Sequence, residues 1–315
     1  MEIKEQPVVS VAVITYNSSK TVIETLDSIY NQTYPNIELI ISDDCSTDNT
    51  ISICRDWIEQ HKDRFVRVEI LTIEKNTGVS ANMNRALNAC SGEWIKSIAG
   101  DDILETISIE EYIGYVQVHK DIFWCFSQAI CFGVDEDQVR RWQIIHESDF
   151  YNWTRSQLLD YLHFCGTPFF SATSFINNTE LIKTGIKADE RVRNAEDRTL
   201  WIQMIEAGFK IGFVKKRLVR YRISESSLST RRVPPQSMIL ANQQFDKYYA
   251  IPYIWRKGYR WYAFRLYMIN EREMTKSFIW KVICKIAKIL FGPVSSINSV
   301  FNIRYAYWLD NEENI

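Results

Sequence analysis

The chain has 315 residues, of which 46% are hydrophobic and 24% are charged. These values exclude a disordered chain, a collagen-like chain and a small disulfide scaffold, and they allow one large domain or two small ones. The formal net charge of −2 argues against a nucleic-acid-binding protein. The charge is unevenly distributed, because ten Lys/Arg and only two Glu lie between Trp255 and Trp308.

Cysteine spacing and the N-terminus bear on the cellular compartment. The seven cysteines are scattered and show no CxxC spacing, which favours free thiols over a zinc site or a disulfide framework. The first residues, MEIKEQ, do not resemble a signal peptide, and no apolar run approaches the ~20 residues of a membrane span. We therefore expect a cytoplasmic protein.

Strand and helix patterns alternate over the first hundred residues. In chain order they predict a strand at 8–15, a helix at 20–30, a strand at 37–42, a helix capped by Ser46 or Asp48 and running to His61, a strand at 66–73, a helix at 79–90 and a strand at 93–99. Such alternation is typical of right-handed βαβ units. It predicts an α/β chain with a mostly parallel central sheet and helices on both faces.

Polar side chains follow three of these strands. Residues 15–17 (Thr-Tyr-Asn) end the first strand, Asp43 and Asp44 end the second, and residues 100–102 (Gly-Asp-Asp) end the fourth. In parallel sheets ligands bind beyond the carboxyl ends of the strands, so we expect these clusters to converge. Neither GxGxxG nor GxxxxGK[ST] is present. Paired aspartates with a hard divalent cation are the usual alternative for holding phosphate.

Four stretches together resemble glycosyltransferase family 2, whose members are inverting enzymes with the GT-A nucleotide-diphospho-sugar transferase fold. They are VSVAVITYN (9–17), LDSIYNQTYPNIELIISDDCSTDNT (26–50), NTGVSANMNRALNACSGEWIKSIAGDD (76–102) and AEDRTLWIQMIEAGFKI (195–211). The resemblance covers roughly residues 7–223. It implies a GT-A catalytic domain at 1–230, with a nucleotide-binding half at 1–102 and an acceptor-binding half at 103–230. We expect a helical, basic extension at 231–315.

The resemblance assigns the first two strand ends to the nucleotide. Thr15, Tyr16 and Asn17 would line the base pocket, and Asp43 would accept a hydrogen bond from the N3–H of uracil, since a carboxylate only accepts. Asp44 would brace the turn in a supporting role. A purely structural turn is the alternative for Asp43.

The other strand end and a later motif carry the predicted chemistry. By resemblance, Asp101 would contact the ribose and Asp102 would hold Mn²⁺ or Mg²⁺ on the diphosphate, where a metal neutralises leaving-group charge. Asp197 would be the general base that deprotonates the acceptor hydroxyl, with Glu196 and Arg222 in supporting roles. Both acidic pairs have a plainer alternative, because carboxylates also favour the first turn of a helix.

Three positions depart from the family pattern. Cys45 stands where Gly is usual, Met83 where an Arg often approaches the nucleotide, and Ser224 where many members carry His. Arg85 lies about 200° around the predicted helix from position 83, so we expect it to be a poor substitute for the missing Arg.

Two later segments bear on the acceptor. The aromatic-rich segment 151–170 is where the resemblance places the acceptor site, with Trp153, Tyr161 and Phe169 as candidate contacts, although core packing is the favoured role for each of the three. On a helix over 276–291, Lys281, Lys285 and Lys288 share one arc and apolar residues fill most of the rest. This pattern predicts an interfacial helix on an anionic membrane surface, at the inner face of the cytoplasmic membrane. Packing on the catalytic domain or on another subunit is the alternative.

The favoured function is inverting, metal-dependent transfer of a sugar from a nucleotide-diphosphate sugar, with UDP as the expected nucleotide. The expected acceptor is a saccharide or lipid-linked saccharide, as in bacterial surface polysaccharide or glycoconjugate synthesis, with no nucleic-acid partner. A non-catalytic nucleotide-sugar-binding protein would fit if Met83 and Ser224 mark lost chemistry. Nucleotidyl transfer is disfavoured because no Gly-rich basic loop follows the first strand.

Overall fold

Apolar, β-branched runs form the strands of a central sheet in this computed structural model. It describes residues 6–145, 150–224, 235–258, 260, 263–264 and 266–267. The chain divides into two compact units, one of residues 1–153 and 168–234 and one of residues 154–167 and 235–315. Segment 154–167, which we assigned to the acceptor half, thus groups with the C-terminal residues. The predicted helix at 276–291 lies outside the described residues.

The first unit contains the elements expected for the first hundred residues. These are β1 (Val9–Thr15), α1 (Val22–Tyr30), β2 (Ile37–Asp43), α2 (Thr50–His61), β3 (Arg67–Leu71), α3 (Val79–Ala89) and β4 (Trp94–Ala99). The N-cap of α2 is Asn49, whose side chain makes no capping hydrogen bond, so the prediction of Ser46 or Asp48 at this position was wrong. The Asp48 carboxylate still accepts from the Thr50 N–H at 3.0 Å, one residue before the cap. Every residue of β2 is buried, as expected of a strand covered on both faces.

The remaining described elements follow in chain order. The first unit continues with β5 (Ile103–Leu104), α4 (Ser108–Val118), β6 (Trp124–Gly133), α5 (Glu136–Ile145), β7 (Phe175–Asn177), α7 (Asn178–Thr184), α8 (Glu196–Glu206) and β8 (Ile211–Ile223). The second unit contains α6 (Arg155–Phe164), α9 (Gln236–Phe245) and α10 (Ile251–Arg256), with a π-helical turn at Asp246–Ala250.

The sheet of the described residues has eight strands in the order β3-β2-β1-β4-β7-β6-β8-β5. Strands β3, β2, β1 and β4 run parallel, whereas β7 is antiparallel to both of its neighbours. Strand β8 pairs parallel with β6 and antiparallel with β5. The sheet is therefore mixed, and its parallel half carries the polar strand ends.

Aromatic side chains fill much of the core. Phe175 is stacked on Trp94 and on Tyr112, with ring centroids 5.0 and 4.9 Å apart. Phe169, in the aromatic-rich segment, is 2% exposed and lies 4.0 Å from the Phe126 ring. Core packing thus accounts for Phe169.

The described residues contain free thiols and helices too short or too polar to cross a membrane. All six cysteines there are free, which agrees with the absence of a disulfide framework; Cys284 lies outside them. Among the helices that the structure describes, none combines the length and the apolar character needed to cross a bilayer.

Candidate functional site

Three strand ends meet at one edge of the sheet. Thr15 is paired with Asp43 in the β1–β2 register, and Ile14 is paired with Ala99 in the β1–β4 register. Because these strands are parallel, the residues that follow them lie side by side at the carboxyl edge. The expected convergence of the polar clusters is therefore present.

Asp43 is buried and hydrogen-bonded within the protein. It is 1% exposed, and its carboxylate accepts from the Thr15 hydroxyl at 2.8 Å, the Ser46 N–H at 2.8 Å and the Ser46 hydroxyl at 2.5 Å. These contacts are those expected of a structural turn. Hydrogen bonding of Asp43 to uracil stays a prediction. Its Oδ1 accepts one bond, from the Ser46 N–H, and a carboxylate oxygen has a second lone pair with which it could accept from the uracil N3–H.

The end of β1 presents one exposed aromatic ring. Tyr16 is 50% exposed. Asn17 is also exposed, but it is hydrogen-bonded to the loop that follows β2. The Asn17 N–H donates to the Ser46 hydroxyl and its side-chain oxygen accepts from the Thr47 N–H, both at 2.8 Å. Asn17 (φ 52°) and Cys45 (φ 65°) both have left-handed backbones. The turn at Cys45 therefore keeps the conformation that Gly favours, although this chain has a side chain there.

Asp44 fastens a neighbouring loop to the end of β2. Its carboxylate accepts from the Thr77 hydroxyl at 2.6 Å, the Thr77 N–H at 3.0 Å and the Gly78 N–H at 2.7 Å. It is 2% exposed. The bracing contacts of Asp44 thus reach beyond its own turn to the loop that precedes α3.

Arg85 reaches the end of β2 despite its position on α3. Its guanidinium donates to the Asp43 carbonyl at 3.2 Å, the Asp44 carboxylate at 3.3 Å and the Asn82 side-chain oxygen at 2.8 Å. Met83, at the position of the family's Arg, is 5% exposed and packs in the core. Arg85 thus braces the end of β2 through bonds within the protein, and its expected weakness as a substitute for the family's Arg towards the nucleotide stays a prediction.

The Asp101–Asp102 pair lies where water is largely excluded. Asp102 is 2% exposed, and its burial, together with the like charge of Asp101, holds its pKa well above the usual range. Burial raises the pKa of Asp101 as well, while Arg222 opposes that shift. Lys96 is fully buried and its charge favours ionised Asp102, although burial lowers the pKa of Lys96 to about 7.

Arg222 holds the turn that carries this pair. Its backbone N–H donates to Asp102 Oδ1 at 2.8 Å, and its Nε donates to the Asp101 carbonyl at 2.7 Å. The same guanidinium contacts Glu24 at 2.9 Å and lies 4.5 Å from the Phe132 ring centroid. Arg222 is thus fixed on several sides and supplies positive charge beside the two carboxylates.

The pair fits a divalent cation. Two adjacent carboxyl groups that resist ionisation together are stabilised when a cation binds between or beside them. Over the part of the chain that the structure describes, no group of three or more His, Cys, Asp and Glu side chains could hold a metal. A Mg²⁺-type site takes one or two carboxylates from the protein and completes its shell with phosphate oxygens and water, so Asp101 and Asp102 could supply its protein ligands.

The Glu196–Asp197 pair begins α8 and has a similar electrostatic character. Burial raises the pKa of Glu196 to about 8, with the charge of Asp197 adding to the shift. Burial also raises the pKa of Asp197, while the Arg198 N–H, which donates to Asp197 Oδ1 at 2.6 Å, and the Arg198 charge oppose it. Glu196 therefore holds its proton more firmly than an ordinary glutamate does, while the contacts with Arg198 favour the charged form of Asp197.

The chain was compared with known proteins. The family model described as Glycosyl transferase family 2 matches residues 10–184. A UDP-Glc:alpha-D-GlcNAc-diphosphoundecaprenol beta-1,3-glucosyltransferase, WfaP of Escherichia coli, is 28% identical over 228 residues, which are 71% of this chain and 80% of that protein.

Two solved structures have a similar fold. TarS residues 1–349 of S. aureus, in complex with UDP-GlcNAc, superposes with a TM-score of 0.58 and 20% identity over 76% of this chain and 66% of that one. The mannosyltransferase PcManGT from Pyrobaculum calidifontis, in complex with GDP-Man and Mn²⁺, gives a TM-score of 0.54 and 18% identity over 97% and 86%. The predicted GT-A fold is confirmed. Since the family model also covers more than half of the sequence, the chain belongs to glycosyl transferase family 2.

Proposed function

We propose that this chain transfers a sugar, with inversion at the anomeric carbon, from a UDP-sugar to a saccharide or lipid-linked saccharide acceptor. One observation carries the proposal: the first unit holds two separate pairs of desolvated carboxyl groups, one at the end of β4 and one at the start of α8. A sugar transferase needs a cation-assisted leaving group and a general base. The two pairs supply candidates for both.

The donor nucleotide would lie across the ends of β1 and β2. The exposed Tyr16 ring offers a stacking surface for a base, and Asp43 would use its remaining acceptor position for the uracil N3–H. Asp101 would bind the ribose. The name of WfaP and the UDP-GlcNAc complex of TarS favour UDP over other nucleotides.

The leaving group would be stabilised at the Asp101–Asp102 turn. Asp102 would hold Mn²⁺ or Mg²⁺, which neutralises negative charge on the departing diphosphate. The Mn²⁺ in the PcManGT complex supports this choice of ion. Arg222 keeps the turn in place through its bonds to both aspartates and adds positive charge there.

Asp197 would accept the proton of the acceptor hydroxyl. As the acceptor oxygen bonds to the anomeric carbon, the bond from that carbon to the diphosphate oxygen breaks on the opposite face. The raised pKa of Asp197 brings its basicity closer to the working pH. Glu196, neutral near pH 7, leaves Asp197 as the single charged carboxylate of the pair.

The acceptor is proposed from two further features. WfaP is named for an acceptor that carries diphosphoundecaprenol, a membrane lipid. The predicted basic helix at 276–291 would hold the enzyme at the inner face of the cytoplasmic membrane, where such an acceptor is exposed. We therefore favour a lipid-linked saccharide at that surface.

Asp102→Asn should remove the metal-dependent part of nucleotide binding. In the wild type, UDP with Mn²⁺ at about 100 times Kd should stabilise the fold by about 2.7 kcal/mol, seen as a higher melting temperature. In the variant the carboxylate ligand is lost, so Mn²⁺ should add nothing to the effect of UDP. The exposed control Asp63→Asn should behave like the wild type. A full Mn²⁺-dependent shift in Asp102→Asn would contradict the metal role.

Asp197→Asn should abolish transfer without weakening donor binding. Loss of the base should lower kcat by about 10²- to 10⁴-fold, with the Kd for UDP within about twofold of the wild type. The matched control is Asp137→Asn, since Asp137 also lies in the first turn of a helix but is exposed. Transfer assays and calorimetry provide both readouts. An active Asp197→Asn enzyme would exclude Asp197 as the base.

Glu196→Gln should change how stability depends on pH. The folded-state pKa of about 8 exceeds the ordinary value of 4.5, so the folded protein binds the extra proton and loses stability as pH rises from about 4.5 through 8. Gln carries no such charge. The variant should gain on the order of 2 kcal/mol over the wild type at pH 9 but almost nothing at pH 5. Glu206→Gln, at the exposed end of α8, should show no such divergence. Parallel melting curves for Glu196→Gln and wild type at both pH values would refute the raised pKa.

The membrane role rests on three lysines. Full-length protein should sediment with vesicles rich in phosphatidylglycerol, and replacing Lys281, Lys285 and Lys288 by Gln should weaken binding about 100-fold, at about 1 kcal/mol per charge. Replacing the exposed Lys62, Lys210 and Lys216 provides an equal change in charge and should have a smaller effect. Wild-type protein that ignores anionic vesicles would disprove the interfacial helix.

A further inference from the structure

Arg193 joins two loops that belong to different parts of the proposed site. It lies in the segment between α7 and α8, and its Nη2 donates to the Asn76 carbonyl at 2.7 Å and to the Asn76 side-chain oxygen at 2.6 Å. Asn76 belongs to the loop between β3 and α3, 117 residues earlier in the chain. One guanidinium thus holds both the backbone and the side chain of a single residue.

Gly78 leaves room for this contact. Its φ of +94° is left-handed, and a Cβ built at this position would lie 2.2 Å from Arg193 Cγ and 2.6 Å from Arg193 Nε. Any side chain at position 78 would therefore displace the Arg193 stem. The absence of a side chain at Gly78 thus lets Arg193 cross the loop at close range.

Hydrogen bonds from α3 fix the main chain around Arg193. The Ser80 N–H donates to the Arg193 carbonyl at 3.1 Å, and the Ser80 hydroxyl donates to the Val192 carbonyl at 2.6 Å. Further along α3, Asn84 exchanges two hydrogen bonds with the backbone of Ala188, both at 2.9 Å. Ser80 and Asn84 are buried, so these contacts are shielded from water.

The same loop is held from its other side by the end of β2. The Asp44 carboxylate accepts from Thr77 and Gly78, so the loop at 76–78 lies between Asp44 and Arg193. Four residues after Arg193 comes Asp197 at the start of α8. Hydrogen bonds therefore connect the end of β2 to Arg193 through the 76–78 loop, and a short length of main chain connects Arg193 to the proposed base.

We propose that Arg193 is a positioning residue that couples the 76–78 loop to the start of α8, so that nucleotide binding at the β2 end orders Asp197 for proton transfer. This inference rests on the proposed function, because it takes Asp197 as the base. Arg193 acts through the loop and does not touch the reacting atoms. Both bonds to Asn76 come from Nη2, whose two N–H groups are fixed in the guanidinium plane, whereas the ammonium of Lys rotates freely and does not fix the direction of its donors in this way.

The kinetic test compares Arg193→Ala and Arg193→Lys with Arg191→Ala. Arg191 is an exposed neighbour in the same segment whose guanidinium bonds Asp189. Arg193→Ala should lower kcat about 10- to 100-fold, with the Kd for UDP within about twofold of the wild type, since small displacements of a reacting group have effects of this size. Arg193→Lys should be intermediate, and added guanidine should restore part of the Ala variant's rate.

Two kinetic results would overturn the coupling. One is an Arg193→Ala enzyme with the same kcat as Arg191→Ala. The other is a loss confined to UDP affinity with kcat unchanged, which would make Arg193 part of nucleotide binding alone.

Hydrogen exchange separates this inference from the proposed function. In the wild type, UDP with Mn²⁺ should slow exchange in peptides covering 76–80 and 194–200, whereas in Arg193→Ala only the first should respond. A wild-type response confined to 76–80 would overturn the coupling. If the wild type neither binds nucleotide nor transfers sugar, the proposed function fails. In that case, hydrogen exchange without ligand decides the inference. Faster exchange at 76–80 and at 194–200 in Arg193→Ala than in Arg191→Ala would support it, and equal exchange rates in the two variants would refute it.

Discussion

Desolvation of carboxyl groups is the constraint on which the site depends. Asp101 and Asp102 at the end of β4, and Glu196 and Asp197 at the start of α8, all have pKa values raised by burial. Charge in such surroundings is stabilised by a cation or relieved by a proton. In the proposed transfer, a divalent ion on the diphosphate would stabilise the first pair, and the proton of an acceptor hydroxyl would neutralise charge on the second. The electrostatics of the two pairs are thus compatible with the two requirements of a sugar transfer, which are a cation at the leaving group and a base at the acceptor hydroxyl.

The scaffold distinguishes these four groups from the other aspartates at the same edge. Asp43 and Asp44 are buried too, but N–H and O–H donors surround their carboxylates and connect loops to the strand ends. Such hydrogen bonds stabilise a carboxylate in place. Asp43 and Asp44 therefore fix the loops at the strand ends, while the two desolvated pairs are the groups to which we assign the proposed chemistry.

Much of this arrangement follows from local sequence. Parallel strands are buried on both faces, so they appear as apolar runs, and the polar residues after each run mark the carboxyl edge. Side-chain reach and distant contacts are not visible in such patterns. Arg85 on α3 contacts Asp44 at the end of β2, and Arg193 contacts a loop 117 residues earlier in the chain. The left-handed backbone at Cys45 is also not visible in the residue itself, because a cysteine does not mark this conformation as a glycine would.

The central claim is a single displacement in which Asp197 removes a proton on the face opposite the diphosphate. Proton NMR of the sugar released when the enzyme slowly hydrolyses a UDP-α-sugar that it accepts tests this most directly. Water attacking from the face that the acceptor would use should give the β-anomer as the first product, before mutarotation mixes the two forms. Early accumulation of the α-anomer would mean retention and would contradict the account.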